Sequence, residues 1–320
     1  MSSARTAAGP GRIDASLLAV ALVWGSTYLT AKELVVPSTV VAILALRFAL
    51  TVVAMLPFCL GRLRRTSRDE LRTGVLLGVI LAAEFALETF GIAGTSATNA
   101  GLIISLTLVL TALLESSLSR SWLPPRFYVA AVLSVVGVAL LATGSSVGAP
   151  TWGDLLILLA AAVRAVHVTA MHRLSAGRRH DAFTLTFVQL SVCAVVFCAL
   201  TPWVGESMVA VAPQLDVGQW VRLAYLALIC TVFAFVVQMW AVRLTSPSRV
   251  SLLLGTEPIW ALAIGVVIAG DRIGWMGLLG AAAIVVGTAW GRRIERLHRE
   301  HQGSAAVVLQ ESGAVVTAAR

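Results

Sequence analysis

The sequence predicts an all-α integral membrane protein with ten transmembrane helices, arranged as two inverted-topology five-helix repeats. Three observations predict this fold class. Hydrophobic residues make up 58% of the 320 residues and charged residues only 12%, against roughly 25% charged residues in soluble domains. Apolar segments recur along most of the chain, and segments of its first half align without gaps to segments of its second half.

The composition excludes most soluble classes, because a water-soluble core cannot hide this much apolar surface. The net charge of +8 raises the question of nucleic-acid binding. The arginines, however, lie in short clusters between apolar runs, which is the pattern of the positive-inside rule. We therefore expect a lipid bilayer as the partner and no nucleic acid. The four cysteines lie within apolar runs and lack CxxC or metal-ligand spacing, which favours simple packing roles.

A membrane span needs about 20 mainly apolar residues to cross a hydrocarbon core of about 30 Å. The first apolar run resembles a signal peptide, but it is too long and no convincing cleavage site follows it, so we expect a retained span. The ten candidate spans are 15–35, 38–60, 71–92, 96–118, 126–145, 152–173, 183–204, 219–241, 247–269 and 273–291.

These spans divide the chain into a short amino-terminal segment 1–14, a first repeat 15–145, a second repeat 152–291 and a basic tail 292–320. The tail begins with RRIERLHREH, which is helix-prone and suited to an anionic membrane surface. The rest of the tail has no strong pattern, and we expect it to be mobile.

Basic residues predict the orientation of the chain in the membrane. With ten spans, eighteen arginines fall in the loops and termini of one side, and three basic residues fall on the other. The positive-inside rule therefore places both termini in the cytoplasm. An even number of spans requires the same arrangement.

Two gapless alignments indicate an internal repeat. Ala21–Leu34 aligns with Ala161–Leu174, and Leu71–Leu108 aligns with Val221–Pro258, which pairs Glu88 with Gln238. Five spans in each half would make the second half enter the membrane in the opposite direction. Inverted repeats are typical of secondary transporters, whose substrate site lies near the midplane between the halves. The alternative is that apolar segments align by chance.

Several short motifs occur in an order and spacing that resemble a known family. The first span contains Trp24-Gly25-Ser26, and the second contains Arg47-Phe48 about ten residues before Pro57. The fourth contains the run GTSATNAGLIISL, and the ninth contains Glu257-Pro258 followed by Gly270-Asp271. Together these motifs, spread over roughly 15–291, resemble the ten-helix EamA branch of the drug/metabolite transporter superfamily.

The resemblance implies a secondary transporter that moves a small organic solute across the cell membrane by alternating access. Amino acids, other metabolites and drug-like compounds are the implied solutes, and efflux in exchange for protons is the implied mode. Uptake stays open, because sequence fixes orientation and not the direction of flux. No cofactor is implied. Two departures from the pattern are Leu108, where the second half has Pro258, and Arg164, which aligns with Trp24.

Charged residues deep inside spans are the strongest site candidates, because burying a charge in a bilayer is costly. Glu84 and Glu88 are four residues apart and share one face of the third helix. Two like charges on one apolar face repel each other, which favours proton uptake by at least one of them. Both are therefore candidates for proton coupling and substrate binding. The alternative is a structural ion pair with Arg47 or Arg164.

Arg164 and His167 are three residues apart and are predicted to share a face of the sixth helix. A buried arginine stays charged, so it needs an anionic partner or an anionic ligand. We hypothesise that Arg164 pairs with Glu84 or Glu88 and can also meet a substrate carboxylate. A fixed ion pair is the alternative. His167 could bind substrate and couple protons, or could simply be a hydrogen-bonded packing residue.

The remaining candidates follow from the motifs. Glu257 and Pro258 are predicted to break the ninth helix and to take part in gating, because proline removes a backbone hydrogen bond. The first helix supplies an aromatic wall, with helix packing or an interface belt as the alternative. The further substrate-binding candidates are Trp24, Thr27, Tyr28, Asn99, Gln238 and Trp240.

Two other classes of protein are alternatives to a transporter. A membrane-embedded enzyme would need a catalytic constellation, and the sequence contains no HExxH or GxSxG motif. A passive channel would need a pore ring or a filter motif, and none is visible. We therefore expect no catalytic residues and no metal site.

Overall fold

The computed structural model describes residues 10–64, 66–119, 122–144, 151–175, 178, 180–244, 250 and 253–318. Side chains are not described for 10, 119, 142–144, 239, 242–244 and 299–318. Most of the predicted amino-terminal segment and part of the predicted ninth span therefore lie outside the described residues. The described residues form helices joined by short connections.

The helices of the amino-terminal half are α1 (Pro10–Lys32), α2 (Val40–Leu63), α3 (Arg68–Gly94), α4 (Ala97–Ile103), α5 (Thr107–Ser119) and α6 (Pro125–Gly144). Those of the carboxyl-terminal half are α7 (Trp152–Ser175), α8 (Ala182–Leu200), α9 (Met208–Val211), α10 (Val217–Ala224), α11 (Ala234–Leu244), α12 (Glu257–Val267) and α13 (Trp275–Ala318).

Length and apolar composition make this a multi-pass membrane protein. Within the described part of the chain, seven helical segments are long and apolar enough to cross a bilayer, and two shorter apolar helices, Pro125–Leu141 and Glu257–Val267, accompany them. The count of ten spans stays a prediction. The last helix continues to Ala318, so the segment that showed no strong pattern is helical.

Polar capping residues set where several helices begin. The side chains of Ser67, Ser96 and Asp181 accept hydrogen bonds from the backbone N–H groups three residues further on, at the starts of α3, α4 and α8. Such caps satisfy N–H groups that the first helical turn leaves free. The predicted starts of these three spans lie within three residues of the observed ones.

Two spans depart from a regular α-helix. The predicted span 96–118 is interrupted by a turn of 3₁₀-helix at Ile104–Leu106, between α4 and α5. In the predicted span 219–241, Tyr225–Phe233 forms a π-helix between α10 and α11. The hydrophobic pattern predicted neither interruption. Both interruptions lie within membrane-spanning segments, where departures of this kind often accompany functional sites.

The main helix contacts join the two halves. Helix α1 packs against α12, α2 against α8, α3 against α7 and α8, and α6 against α13. Gly25, in the Trp-Gly-Ser motif, lies where α1 meets α12. A Cβ atom placed on Gly25 would lie 2.7 Å from Cβ of Trp260 and 2.8 Å from the backbone nitrogen of Ala261. The motif therefore needs glycine because the two helices are in close contact there.

Helices α3 and α7 meet in different ways at their two ends. Where α3 ends and α7 begins, their backbones touch, because a Cβ on Gly153 would lie 2.4 Å from the carbonyl carbon of Gly94. Near the other end, Asp69 of α3 forms an exposed ion pair with Arg178, three residues after the end of α7, and Nη1 of Arg178 lies 2.8 Å from Oδ2 of Asp69. Nε2 of His180 lies 3.1 Å from the same Asp69 oxygen.

Candidate functional site

An ion pair between α7 and α3 lies in the middle of the helix bundle. Nε of Arg164 is 2.8 Å from Oε1 of Glu84, so the predicted pairing of Arg164 with one of the two glutamates is confirmed, with Glu84 as the partner. Glu84 is 1% exposed, whereas the Arg164 side chain is 30% exposed. The other two guanidinium nitrogens of Arg164 form no hydrogen bond with any residue that the structure describes.

Glu88 lies one helical turn beyond Glu84 and is 4% exposed. Its Oε2 atom is buried and has no hydrogen-bond partner among the described residues, and the same is true of Oε2 of Glu84. Glu88 is close enough to Glu84 and Arg164 for their charges to interact. This carboxyl group therefore lies in a low-dielectric region next to a second carboxyl group.

Helices α1 and α12 contribute the other side of this group. The hydroxyl of Tyr28 donates a 2.6 Å hydrogen bond to Oε1 of Glu257. Both residues interact electrostatically with Arg164 and Glu88. The structure thus gathers four side chains with Arg164 in one group, which we call the central cluster: Tyr28, Glu84, Glu88, Arg164 and Glu257.

Pro258 occupies the first turn of α12, directly after Glu257. A proline in the first turn of a helix loses no intrahelical hydrogen bond, because that N–H has no partner there. The Glu257-Pro258 pair therefore marks where a helix starts inside the bundle. Residues 253–254 are helical, residues 255–256 form a turn and α12 then begins at Glu257, so the helix is broken where the sequence predicted a break, and the gating role stays a prediction.

Arg47 of α2 lies beside the central cluster and is 5% exposed. Its Nη2 donates a 3.2 Å hydrogen bond to the hydroxyl of Thr231 in the π-helix. Its guanidinium carbon is 5.0 Å from the ring centroid of Phe85 and 5.7 Å from that of Phe48. Cation–π contacts of this kind partly replace the hydration that a buried arginine loses. The charge of Arg47 also interacts with that of Glu88.

His167 is buried and faces α8. Its Nε2 atom lies 2.7 Å from Oε1 of Gln189, a residue that the sequence reading did not select. Arg164 and His167 share a helix but bond to different neighbours, α3 and α8. The hydrogen bond fits the alternative of a packing histidine, and a proton-coupling role for His167 stays a prediction.

Several predicted site residues form no hydrogen bond with the central cluster. The Thr27 hydroxyl donates to the carbonyl of Val23 in its own helix. The side-chain amide of Asn99 donates to Oδ1 of Asp154, which also accepts from Thr95. Partly buried Gln238 has no hydrogen bond with the described residues, and Trp240 is 39% exposed.

Trp24, which aligns with Arg164, makes a corresponding contact in the other half of the bundle. Its indole N–H donates a 3.0 Å hydrogen bond to the carbonyl oxygen of Cys230, within the π-helix. The aligned residues Trp24 and Arg164 thus each donate from the first helix of their half to a helix of the opposite half. The first contact is neutral and the second is an ion pair, so the two sides of the bundle differ in charge.

Besides Gln189, three polar residues inside or next to spans carry contacts that the sequence did not predict. They are Thr231, Asp154 and Asp271, and Oδ2 of Asp271 accepts a 2.9 Å hydrogen bond from the backbone of Thr98 at the start of α4. Gly270 has a φ of 71°, a value that glycine adopts without strain. It turns the chain so that Asp271 reaches α4. Thr231 and Asp154 are buried, and a polar residue in or next to an apolar run is the signal that would have found these two.

The described residues form a helical, multi-pass membrane protein with a charged cluster between its halves, an arrangement that is typical of membrane transporters. A family model described as the EamA-like transporter family matches residues 12–143 and again 151–290. The chain therefore belongs to the EamA-like transporter family, one of the families of the drug/metabolite transporter superfamily. The predicted resemblance is confirmed, and the protein is a transporter rather than an enzyme.

Relatives and a solved structure agree with this assignment. An uncharacterized transporter of Archaeoglobus fulgidus is 24% identical over 275 residues, covering 85% of this chain and 83% of the relative. The uncharacterized transporter YcxC of Bacillus subtilis is 23% identical over 255 residues, covering 77% and 81%. A solved crystal structure with 17% identity superposes with a TM-score of 0.62, covers 89% of this chain and 98% of its own, and shares the fold.

Proposed function

We propose that the protein is a proton-coupled secondary transporter that exports a small organic solute across the cell membrane by alternating access. The observation that supports this proposal most directly is the surroundings of the Glu88 side chain. Its carboxyl group is buried between helices of both halves, and one oxygen has no hydrogen-bond partner among the described residues. An unpaired charge in such a place costs several kcal/mol.

Glu88 is the proposed proton site because it is the carboxyl group of the central cluster that has no direct hydrogen bond or ion pair with a side chain of the described residues. Glu84 has Arg164 as a partner at 2.8 Å, and Glu257 has the Tyr28 hydroxyl at 2.6 Å. A proton, or a positively charged group of the solute, would satisfy Glu88 instead. Because only one of the two fits at a time, binding of the solute releases the proton. Exchange of solute for protons follows.

Arg164 is the proposed contact for an anionic group of the solute. Its Nε atom is held by Glu84, which leaves two charged donors directed elsewhere on a side chain that is 30% exposed. Lipid-facing arginine is costly, and the partners of Arg164 belong to α1, α3 and α12. An amino acid or a related metabolite suits this arrangement, since its carboxylate meets Arg164 and its ammonium group meets Glu88.

The pattern of helix contacts supports alternation between two inverted halves. The first helix of the first half, α1, packs on α12, and the corresponding helix of the second half, α7, packs on α4 and α5. Likewise α3 packs on α7, and its counterpart, the π-helix with α11, packs on α1. Exchanging the halves thus maps each contact onto another contact. The arginine distribution supports cytoplasmic termini.

Proteoliposomes provide the test. An untargeted comparison of the solutes held by cells with and without the protein names a candidate solute, which is then assayed by counterflow and by a proton gradient. We expect saturable counterflow and pH-driven accumulation in the wild type. Glu88→Gln should keep counterflow and lose the response to the gradient. Exposed Glu206→Gln is the matched control, with both activities retained.

Two results would contradict the proposal. A linear, non-saturable flux would indicate a channel instead of a carrier. A Glu88→Gln variant that accumulates solute under a proton gradient as the wild type does would remove Glu88 from the coupling mechanism.

Uptake is a second candidate, and the free guanidinium nitrogens of Arg164 favour it. A solute that brings only a negative charge binds more easily when Glu88 carries a proton, because the central cluster already contains three carboxyl groups. Solute and proton would then move together, inward along a proton gradient. Proton uptake on solute binding indicates this mode, and proton release indicates exchange.

A further inference from the structure

The π-helix at Tyr225–Phe233 is held by side chains of the opposite half. The Thr231 hydroxyl donates a 2.8 Å hydrogen bond to the carbonyl of Leu226, five residues earlier, and accepts a hydrogen bond from Nη2 of Arg47. The indole of Trp24 donates to the carbonyl of Cys230. A π-helix is rare because its wide turn packs its own backbone poorly, so these outside donors compensate for it.

Arg47 interacts both with this π-helix and with the proposed proton site. It bonds to Thr231 on one side, and its charge interacts with that of Glu88 on the other. Its Nε atom is buried and has no hydrogen-bond partner among the described residues. The Arg47 guanidinium is always charged. Like its Nε atom, Oε2 of Glu88 has no hydrogen-bond partner among the described residues.

We infer that Arg47 is a positioning residue that links the charge state of Glu88 to the π-helix of the eighth span. This inference rests on the proposed role of Glu88 as the proton site. When Glu88 carries a proton, Arg47 is free to bond Thr231, which is the arrangement observed. When Glu88 is ionised, its charge draws the guanidinium away from Thr231, and the π-helix loses one of its supports.

Other charged and titratable groups surround both ends of this link. Those that act on Glu88 come from α1, α2, α3, α7 and α12, and those that act on Arg47 also include thiols of α8 and the π-helix. They are Tyr28, Arg47, Glu84, Arg164 and Glu257 for Glu88, and Cys193, Cys230 and Arg164 for Arg47. Nε of Arg164 is held by Glu84, whereas Arg47 forms no ion pair with a carboxylate of the described residues, so we expect Arg47 to move more readily in response to the charge of Glu88.

The consequence concerns the residues that follow the π-helix. Conversion of a π-turn to an α-turn removes one residue from the turn, which rotates the following helix by about 100° and shifts it by about 1.5 Å. Helix α11, which carries Gln238 and Trp240, would turn in this way. Protonation at Glu88 would thus change which side chains of α11 face the bundle interior.

Amide hydrogen exchange of the π-helix, measured by mass spectrometry on the full chain in lipid nanodiscs, tests the link without any solute. Glu88→Gln imitates the protonated residue. The exchange rate of the wild type is divided by that of Glu88→Gln at each pH, from mildly acidic to strongly alkaline, so that intrinsic exchange cancels. We expect a ratio near one at the acidic end and about tenfold faster exchange in the wild type at the alkaline end, the size expected for a hydrogen bond to a charged group.

Variants of Thr231 separate the link from general destabilisation. Each Thr231 variant is compared with the same variant that also carries Glu88→Gln. Thr231→Val removes the acceptor of Arg47, so this ratio of exchange rates should equal one at every pH. Thr231→Ser keeps the hydroxyl and should keep the pH response. Thr288→Val is the matched control, because the buried Thr288 hydroxyl bonds only to carbonyls of its own helix. It should leave the ratio as in the wild type.

A wild-type ratio of one throughout the pH range overturns the inference, and so does a pH response that survives in Thr231→Val. Either result leaves the transport assay untouched. Loss of pH-driven transport in Glu88→Gln together with a flat exchange ratio means that the proton site is right and the link is wrong. If pH-driven transport in Glu88→Gln equals that of the wild type, the proposed function itself is wrong.

Discussion

Nε of Arg164 and Oε1 of Glu84 lie 2.8 Å apart and join α7 to α3 across the two halves of the chain. The partners are unequally buried, because Glu84 is almost fully enclosed whereas Arg164 remains partly exposed. Removing Arg164 therefore leaves an enclosed carboxylate without a partner, and removing Glu84 leaves a cation with partial access to solvent. The pair holds the bundle together at the same place where we propose that the solute binds.

The first prediction concerns the energetics of this pair. Arg164→Gln should lower the free energy of unfolding by about 3 kcal/mol, because breaking a buried pair leaves an uncompensated charge. Glu84→Gln should cost less, since Arg164 is partly exposed. The double variant should be more stable than Arg164→Gln alone. Denaturant unfolding in detergent measures all three, and strictly additive losses would mean that the two residues do not act as a pair.

The second prediction concerns the contact of α1 with α12. Gly25→Ala should destabilise the protein by about 1–3 kcal/mol, because the added methyl group meets backbone as well as side-chain atoms and cannot be relieved by one rotamer change. Gly61→Ala in α2 is the matched control, since no atom lies within 4 Å of its added Cβ. Thermal unfolding compares them. Equal stability of the two variants would show that α1 and α12 are not in close contact.

The third prediction concerns the turn after α12. Gly270 has a φ of 71°, and no atom lies within 4 Å of a Cβ placed there, so any cost of Gly270→Ala is conformational. We expect a loss of about 1 kcal/mol. Gly270→Asn should cost less, because asparagine tolerates left-handed backbone better than alanine. The order of the two unfolding midpoints is the measurement, and a reversed order would contradict the assigned backbone conformation.

The fourth prediction concerns pH and the loop before α8. Burial would raise the pKa of Asp181, but hydrogen bonds from Thr184 and Arg62 outweigh it and lower that pKa. Because the folded pKa lies below the usual value of about 3.9, the ionised residue stabilises the fold above that pH. The contribution is lost as the pH falls through the folded pKa.

Asp181→Asn should therefore be less stable than the wild type near neutral pH. Chemical unfolding at a series of pH values should show the two converging below about pH 4, where the wild-type carboxylate takes up its proton. Thr186→Val, which alters an exposed hydroxyl of the same helix, serves as the control and should keep the pH dependence of the wild type. A gap between Asp181→Asn and the wild type that stays constant on acidification would contradict the lowered pKa.

Hydrophobic pattern and capping residues predicted much of the helical framework, because both act locally. Ser67 and Ser96 begin helices close to the predicted starts, and the arginine-rich loops separate the apolar runs as expected. The π-helix at Tyr225–Phe233 could not be predicted in this way. Its supports, Arg47 and Trp24, are more than 180 residues away in sequence, and no local propensity encodes them.

The charged part of the candidate site could be predicted from the sequence, because a charged side chain inside a bilayer needs a partner of opposite charge. Arg164 needed an anion, and Glu84 supplies it, as one of two predicted alternatives. Asn99 donates its hydrogen bond to Asp154, in the first turn of α7, and not to a residue of the central cluster. Polar residues without a charge have many satisfactory partners, so their position in the fold depends on tertiary contacts that a pattern along one chain does not contain.

The backbone contact of Gly153 with Gly94 has a consequence for how the bundle can open. At that end α3 and α7 are separated by no side chain, so they cannot approach further, and separating them loses close packing along both backbones. Near the opposite end, Asp69 of α3 pairs with Arg178, three residues after the end of α7, in an exposed ion pair of the kind that contributes little to stability. Once the Arg164–Glu84 pair between them has separated, α3 and α7 should therefore move apart more easily near Asp69 and Arg178 than at the end where Gly94 meets Gly153.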